Sequence, residues 1–341
     1  MRLILLWVSL VLLTACQDST TQQAKIFAFG TEIDISIYNE DRATFEQAIT
    51  DLETTFTGVN DLWHAWQPSL LTEINAAIAA GEPIAVDENV AEVIAQAQAL
   101  AKDSEQLFNP AAGQLFSLWG FEQDDWFSSR PPPQSSAINA WLAAAPDMTD
   151  IVIREDQLYS DNPMAKLGFG GFAKGYAVDA AIDLLKARQI DNAIVNIGGD
   201  LRAIGQHGRR AWNIGIRHPR QEGVLASVEV RHDESVFSSG DYERFFEYDG
   251  KRYSHILDPR SGYPADQAMS VTVIDNNAAR ADAAATALFV AGNDWPKLAA
   301  KMGLEAVMLV TASGQLELSP VMAERIKIIN YDGEPRIRSI R

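Results

Sequence analysis

The sequence contains a single cysteine, Cys16, so no disulfide can form within the chain. It has no Cys-x-x-Cys pair, no His-Glu-x-x-His stretch and no Gly-x-Ser-x-Gly turn, which leaves thiol-redox, zinc-protease and serine-hydrolase chemistry without support. A Gly-x4-Gly-Lys-Ser/Thr phosphate loop is also missing. No apolar run reaches the roughly 20 residues that a membrane-spanning helix needs. Cations are scarce: 28 Lys and Arg against 46 Asp and Glu leave a net charge of −18. That field repels phosphate backbones and argues against nucleic-acid binding. It still permits a phosphorylated ligand where a metal and a few local cations reverse the field inside one cleft. There are no internal repeats, and the only low-complexity stretch is Pro131-Pro132-Pro133.

What is present begins at the N-terminus. Arg2 precedes a short apolar stretch, residues 3–13, and then Leu13-Thr14-Ala15-Cys16 and polar residues. This pattern reads as a signal peptide, and the lone cysteine after Leu-Thr-Ala resembles the bacterial lipobox. The expected organisation is a signal peptide at 1–15, a lipidated tether at 16–24 starting with Cys16, and a single domain at 25–341. The mature protein would then be exported and lipid-anchored, facing the periplasm. Gln17 leans towards the outer membrane.

At 341 residues the chain is long enough for a sizeable core. Alternation over 25–38 suggests strands broken at Gly30, and helical spacing follows over 41–66. Asp87 reads as the N-cap of a helix running to about 103. A short helix at 137–145, strands near 151–153 and 157–159, and a glycine turn at 168–171 come next. After a helix at 173–189, strand-like runs recur between 193 and 273. A strongly apolar helix at 279–291 precedes two closing strands. Helices and antiparallel hairpins in blocks argue an α+β fold.

Several segments carry candidate chemistry. Gly168-Phe169-Gly170-Gly171-Phe172-Ala173-Lys174 opens a helix, where backbone N–H groups and the helix dipole favour an anion. Lys174 in that first turn is unfavourable for the dipole alone and points to an anionic ligand. A plain glycine turn with a solvated lysine fits equally well. The dinucleotide fingerprint Gly-x-Gly-x-x-Ala is met, but polar, proline-containing 161–166 cannot form the buried parallel strand that a Rossmann unit requires. Asp282 and Thr286, four apart, share one helix face and form a hard oxygen set suited to Mg²⁺. Alternatively, Asp282 only stabilises a helix start and Thr286 bonds back to its own helix. His255 precedes the turn Asp258-Pro259-Arg260-Ser261-Gly262 and is placed to act as a general base, or is a hydrogen-bonded strand histidine. Asn196-Ile197-Gly198-Gly199-Asp200 reads as a hairpin turn. Arg244, in the segment 237–244, could meet an anion or pair with a carboxylate.

The order of these segments carries more than any one of them. Phe29-Gly30-Thr31, Ser69-x3-Glu73-Ile74-Asn75, Phe108-Asn109-Pro110, Leu118-Trp119-Gly120-Phe121 and Gly170-Gly171-Phe172-Ala173-Lys174-Gly175-Tyr176-Ala177-Val178-Asp179 come first. Asn196-x-Gly198-Gly199-Asp200, Ser239-Gly240-Asp241-Tyr242, His255-x2-Asp258-Pro259-Arg260-x-Gly262 and Ala281-Asp282-x3-Thr286-Ala287 complete the series. Over about residues 26–310 the chain resembles the ApbE-type FAD:protein FMN transferases. The resemblance implies a tunnelling-fold (T-fold)-like α+β architecture of antiparallel sheets with packed helices, and a flavin cleft. It implies FAD as substrate and Mg²⁺ as cofactor, with Mn²⁺ the alternative. The metal would be held by Asp282, Thr286 and the Gly171 carbonyl. His255 and Lys174 would be catalytic. Thr31, Gly170, Gly171, Lys174, Asp179, His255, Asp258 and Arg260 would line the FAD site. The acceptor would be a threonine on a flavoprotein such as a subunit of an Rnf- or Nqr-type redox pump. FAD pyrophosphatase activity and non-catalytic flavin binding are the alternative functions. Two departures stand out: Asn109-Pro110-Ala111 where the family often has Asp-Pro-Thr, and Lys166 where an acidic residue is common.

Overall fold

The computed structural model describes residues 20–230 and 232–340. The expected signal peptide and Cys16 lie outside the described residues. The expected tether reaches too far: residues 21–24 already belong to the strand Thr21–Ala28, which pairs with Thr31–Tyr38 along its whole length. No helix among the described residues is long and apolar enough to cross a membrane.

A nine-stranded sheet organises the chain. Its order is Thr21–Ala28, Thr31–Tyr38, Ala193–Ile197, Asp200–Gly205, His232–Gly240, Ala268–Asp275, Ala306–Thr311, Leu316–Leu318 and Arg336–Ile337. Every pairing is antiparallel except the last. Period-2 alternation decides what each face meets. Ile33, Ile35, Ile37, Val195, Ile197, Val271 and Val273 point into a core shared with helices, including Arg42–Trp63, Ala173–Ala187 and Ala278–Ala291. Leu201, Ala203, Val236, Ile274, Met308 and Val310 point the other way, onto the three-stranded sheet Ile326–Ile328, Val224–Val230 and Trp212–Arg217. Helices thus cover one face and a small sheet the other, an α+β arrangement. The antiparallel ladder also rules out the parallel unit that a dinucleotide fingerprint needs.

Four α-helices lie outside the sequence reading: Leu70–Ala80, Gly113–Trp119, Trp295–Lys301 and Pro320–Arg325. The first opens with a capping box, in which the Ser69 side chain accepts the Thr72 N–H and Thr72 answers to the Ser69 backbone. A third apolar cluster contains Leu115, Trp119, Phe121, Trp141, Phe246 and Leu257. It supports one wall of the site described next.

Candidate active site

The glycine-rich segment before Ala173–Ala187 is pinned from both sides. Asn75 accepts the Leu167 N–H at 2.6 Å and donates to the Leu167 carbonyl at 2.8 Å. Gly168 N–H donates to the Pro110 carbonyl at 2.8 Å. Asn109 shapes that second turn, accepting from Ala111 N–H at 3.0 Å and donating to the Pro146 carbonyl at 2.9 Å. Lys166 is answered by Glu122 at 2.5 Å. Both departures from the family pattern therefore have local structural partners. Gly170 has no atom within 4 Å of where a Cβ would stand, so its backbone is open to close approach by a ligand.

Two helices meet just beyond this segment and cap each other. Ala173–Ala187 has no side-chain cap of its own. Asp282, one turn into Ala278–Ala291, reaches across and accepts Gly175 N–H through Oδ2 at 2.9 Å. In return Asp179 accepts the N–H groups of Ala278 and Ala279, each at 2.9 Å, and pairs with the buried Arg202. Only glycine permits this approach: a Cβ at Gly175 would lie 2.4 Å from the Ala278 carbonyl oxygen. Ala278–Ala291 is buried nearly all round, and between Ala281 and Ala291 only Thr286 reaches solvent. A Cβ at Gly171 would stand 3.1 Å from Thr286 Oγ1, so these two sequence-selected positions are neighbours. Ser239 Oγ lies 3.2 Å from the same hydroxyl.

Charge gathers at this junction. Lys174 pairs with Asp200 at 2.5 Å, and the second Asp200 oxygen accepts Ser238 N–H at 2.9 Å. Burial works against the Lys174 charge, but Asp200, Glu243 and Asp282 outweigh it and hold the ammonium above its usual pKa. Burial pushes Asp282 up to about 7, with Lys174 opposing and Asp200 adding to the rise. Glu243, which still reaches solvent, is pushed up in the same way, by its crowding and Asp200 against the pull of Lys174. Three carboxylates around one ammonium make a site that gains from a further cation. The donors on offer are a half-engaged carboxylate, a hydroxyl one helical turn on, and the adjoining Gly171 backbone. This hard, all-oxygen set fits a Mg²⁺ ion that keeps part of its water shell. Asp200 and Glu243 lie in the segments 196–200 and 237–244 quoted from the sequence, which assigns neither of them a role in the site. Asp200 stands 26 positions from Lys174, and no local pattern announces their pairing.

His255 approaches from the other wall. Its backbone N–H and its Nδ1 both meet the Arg244 carbonyl, at 3.0 and 3.1 Å. A carbonyl only accepts, so Nδ1 carries the proton and the Nε2 lone pair is left for a substrate. Burial, then Arg244 and Lys174, press its pKa down to about 3, so the ring is neutral at physiological pH. Phe121 packs edge-on against it, ring centres 6.3 Å apart.

The remaining sequence-selected residues are placed as follows. Thr31 abuts the Gly198 turn that presents Asp200: a Cβ at Gly198 would lie 2.9 Å from Thr31 Oγ1. Asp258 and Arg260 pair with each other at 2.8 Å, and Arg260 also donates to the Val290 carbonyl near the end of the alanine-rich helix. Asp179, Asp258 and Arg260 thus commit their side chains to protein partners that shape the site.

Comparison with known proteins bears on the family and the fold. The ApbE family model matches residues 29–308. An FAD:protein FMN transferase of Rhodobacter capsulatus is 39% identical over 308 residues, 89% of this chain, which spans 58% of that relative's length. One from Klebsiella pneumoniae is 34% identical over 283 residues, covering 81% of this chain and 84% of the relative. The crystal structure of the ApbE protein from Thermotoga maritima superposes with a TM-score of 0.81 at 30% identity, covering 90% of this chain and 99% of that one. The flavin transferase ApbE from Vibrio cholerae gives 0.77 at 27% identity, with 90% and 99% covered. Sequence and architecture converge, and the chain belongs to the ApbE family.

Proposed function

We propose that this protein is an FAD:protein FMN transferase, which moves the FMN half of FAD onto a threonine hydroxyl of an acceptor flavoprotein and releases AMP. The observation that carries the reading is a neutral histidine with its Nε2 left open, within electrostatic reach of Lys174, which in turn lies within reach of Asp282. Curated relatives bearing that activity name support it.

In this reading the open backbone at Gly170 and Gly171 receives the diphosphate. Asp282, Thr286 and the Gly171 carbonyl would hold Mg²⁺, which supplies charge neutralisation on the diphosphate oxygens as the P–O bond breaks. His255 Nε2 takes the proton from the acceptor hydroxyl as its oxygen forms a bond to the FMN-side phosphorus. The bond from that phosphorus to the bridging oxygen breaks, and AMP departs with the oxygen. Lys174 adds positive charge beside the leaving group, and Asp200 fixes where that charge stands. Little covalent chemistry falls to the protein, so positioning and electrostatics dominate. Acceptor subunits of Rnf- or Nqr-type redox pumps are the proposed partners. Lipidation at Cys16, with the domain on the periplasmic side of a membrane, is part of the same reading and is supported by the lipobox-like residues 13–16.

The test uses the protein without its first 16 residues, FAD, Mg²⁺ and an acceptor domain carrying the attachment threonine. A gain of one FMN in the acceptor's mass, abolished by EDTA, is the expected result. Metal-dependent release of free FMN and AMP with no gain in mass would replace transfer by hydrolysis. FAD that stays intact with several acceptors would refute the catalytic reading.

A further inference from the structure

Transfer to a protein requires a macromolecular hydroxyl to reach His255 Nε2, and the surroundings of His255 restrict the approach. His255 hangs from the Arg244 carbonyl, at the base of the hairpin Phe245–Tyr248 and Lys251–Ser254. Beside that hairpin runs the loop 120–130. The two are tied into one wall: Ser129 Oγ donates to the Glu247 carbonyl at 2.6 Å, and the Arg130 guanidinium lies 5.5 Å over Phe246 while donating to the Gly120 carbonyl at 2.9 Å. Arg244 also lies over Trp126, 6.0 Å from the ring centre.

The outer surface of this wall is aromatic. Phe127 is 63% exposed and packs edge-on against Trp126 at 5.6 Å. Tyr263, 40% exposed, packs on Trp119 of the same cluster at 5.7 Å. Lys251 and Arg252 each lie over a hairpin ring, at 5.2 and 4.0 Å. A buried aromatic backing, solvent-facing rings and an arginine held over a ring are features of a protein-binding hot spot. The other large exposed apolar side chains among the described residues, such as Phe27 and Ile329, sit on other elements: Phe27 on the first strand of the sheet, and Ile329 just after the strand Ile326–Ile328.

We infer that the acceptor protein docks on this wall, with Phe127 as its anchor and Tyr263 as a flanking contact. The inference rests on the transferase reading and adds the partner's address to it. The fitting partner is an extended segment with an apolar side chain close to the hydroxyl residue. That side chain covers Phe127 while the hydroxyl reaches over the wall to Nε2. FAD is gripped from the opposite wall, so acceptor affinity and FAD affinity are separable.

The experiment uses the holoenzyme with Mg²⁺, FAD and the acceptor domain that the wild-type protein flavinylates, with kcat and KM measured for each substrate. Phe127→Ala should lower kcat/KM for the acceptor about tenfold, chiefly through KM, and Phe127→Asp by more. The dissociation constant for FAD, read by flavin fluorescence, should stay within about twofold of wild type, as should the acceptor kinetics of Phe27→Ala. Wild-type acceptor kinetics in both Phe127 variants would overturn the docking site alone. A wild-type protein that binds FAD and flavinylates no acceptor would overturn the transferase reading and this inference with it.

Discussion

Gly175 and Gly170 lie five residues apart in one glycine-rich motif, and the structure gives them opposite tasks. A Cβ at Gly175 would lie 2.4 Å from the Ala278 carbonyl oxygen, 2.6 Å from its carbon and 2.6 Å from Ala279 Cα. All three are backbone atoms, so relief requires the two helices to move apart by about an ångström. Overpacking of this kind costs about 1–3 kcal/mol. The shift also stretches the 2.9 Å bond from Gly175 N–H to Asp282, and a hydrogen bond to a charged group contributes about 1.5–3 kcal/mol. Gly175→Ala should therefore destabilise the protein by about 2–5 kcal/mol, roughly 3–7 °C in melting temperature for a chain of this size. Calorimetric titration of the variant with Mg²⁺ should show weakened binding, because Asp282 moves with its helix. At Gly170 the added Cβ meets nothing within 4 Å and the φ angle is not left-handed. Gly170→Ala should melt within a degree or two of wild type, or slightly above it, yet bind FAD more weakly because the methyl group stands where the ligand approaches. Equal melting temperatures for Gly175→Ala and wild type would refute the reasoning about helix contact. A Gly170→Ala protein as unstable as Gly175→Ala would refute the division of tasks.

Two further outcomes follow from the charged groups. His255 should show no NMR titration between pH 5 and 8 and should keep its proton on Nδ1; a midpoint near 6.5 would contradict the buried, carbonyl-bonded ring. Its folded pKa of about 3 lies below the unfolded value of about 6.5, so the unfolded chain binds the extra proton in that window. Stability should fall as pH drops from 6.5 towards 3, by at most about 1.4 kcal/mol per pH unit, and His255→Gln should flatten that slope while retaining FAD binding and losing transfer. Asp282→Ala should lose metal binding and transfer together, as read by Mg²⁺ calorimetry and acceptor mass; full activity in that variant would remove Asp282 from the metal site.

Local signals in the sequence translate well where the structure depends on neighbours. Asp87 reads as an N-cap, and its side chain accepts Val90 N–H at 2.9 Å at the head of Glu88–Asp103. The apolar run at 279–291 is matched by Ala278–Ala291. The hairpin beside His255 shows a signal that was available but outweighed by the motif around it. Asp249-Gly250 separates its two strands, and both residues have positive φ, 49° and 73°, as a type I′ turn requires. Leu70–Ala80 is similarly foreshadowed by Ser69 and Thr72, whose capping role is hidden inside a family motif. Other features are not written locally at all. The pairing of Lys174 with Asp200, the approach of Glu243 and the use of Asp179 on a helix 99 residues away depend on how distant elements stack.

That exchange of caps between Ala173–Ala187 and Ala278–Ala291 has a mechanical consequence. Each helix start is fastened by a carboxylate of the other, and Arg202 ties Asp179 back to the central sheet. Neither helix can tilt without unfastening both, so the diphosphate side of the cleft behaves as a fixed jaw. The facing jaw is held differently, by Phe246 of its hairpin packed among Trp119 and Phe121, so any tightening around bound FAD or an incoming acceptor falls to the loop 120–130 and the hairpin tip rather than to the helices. Hydrogen exchange should find the slow amides on the first side and the ligand-sensitive ones on the second.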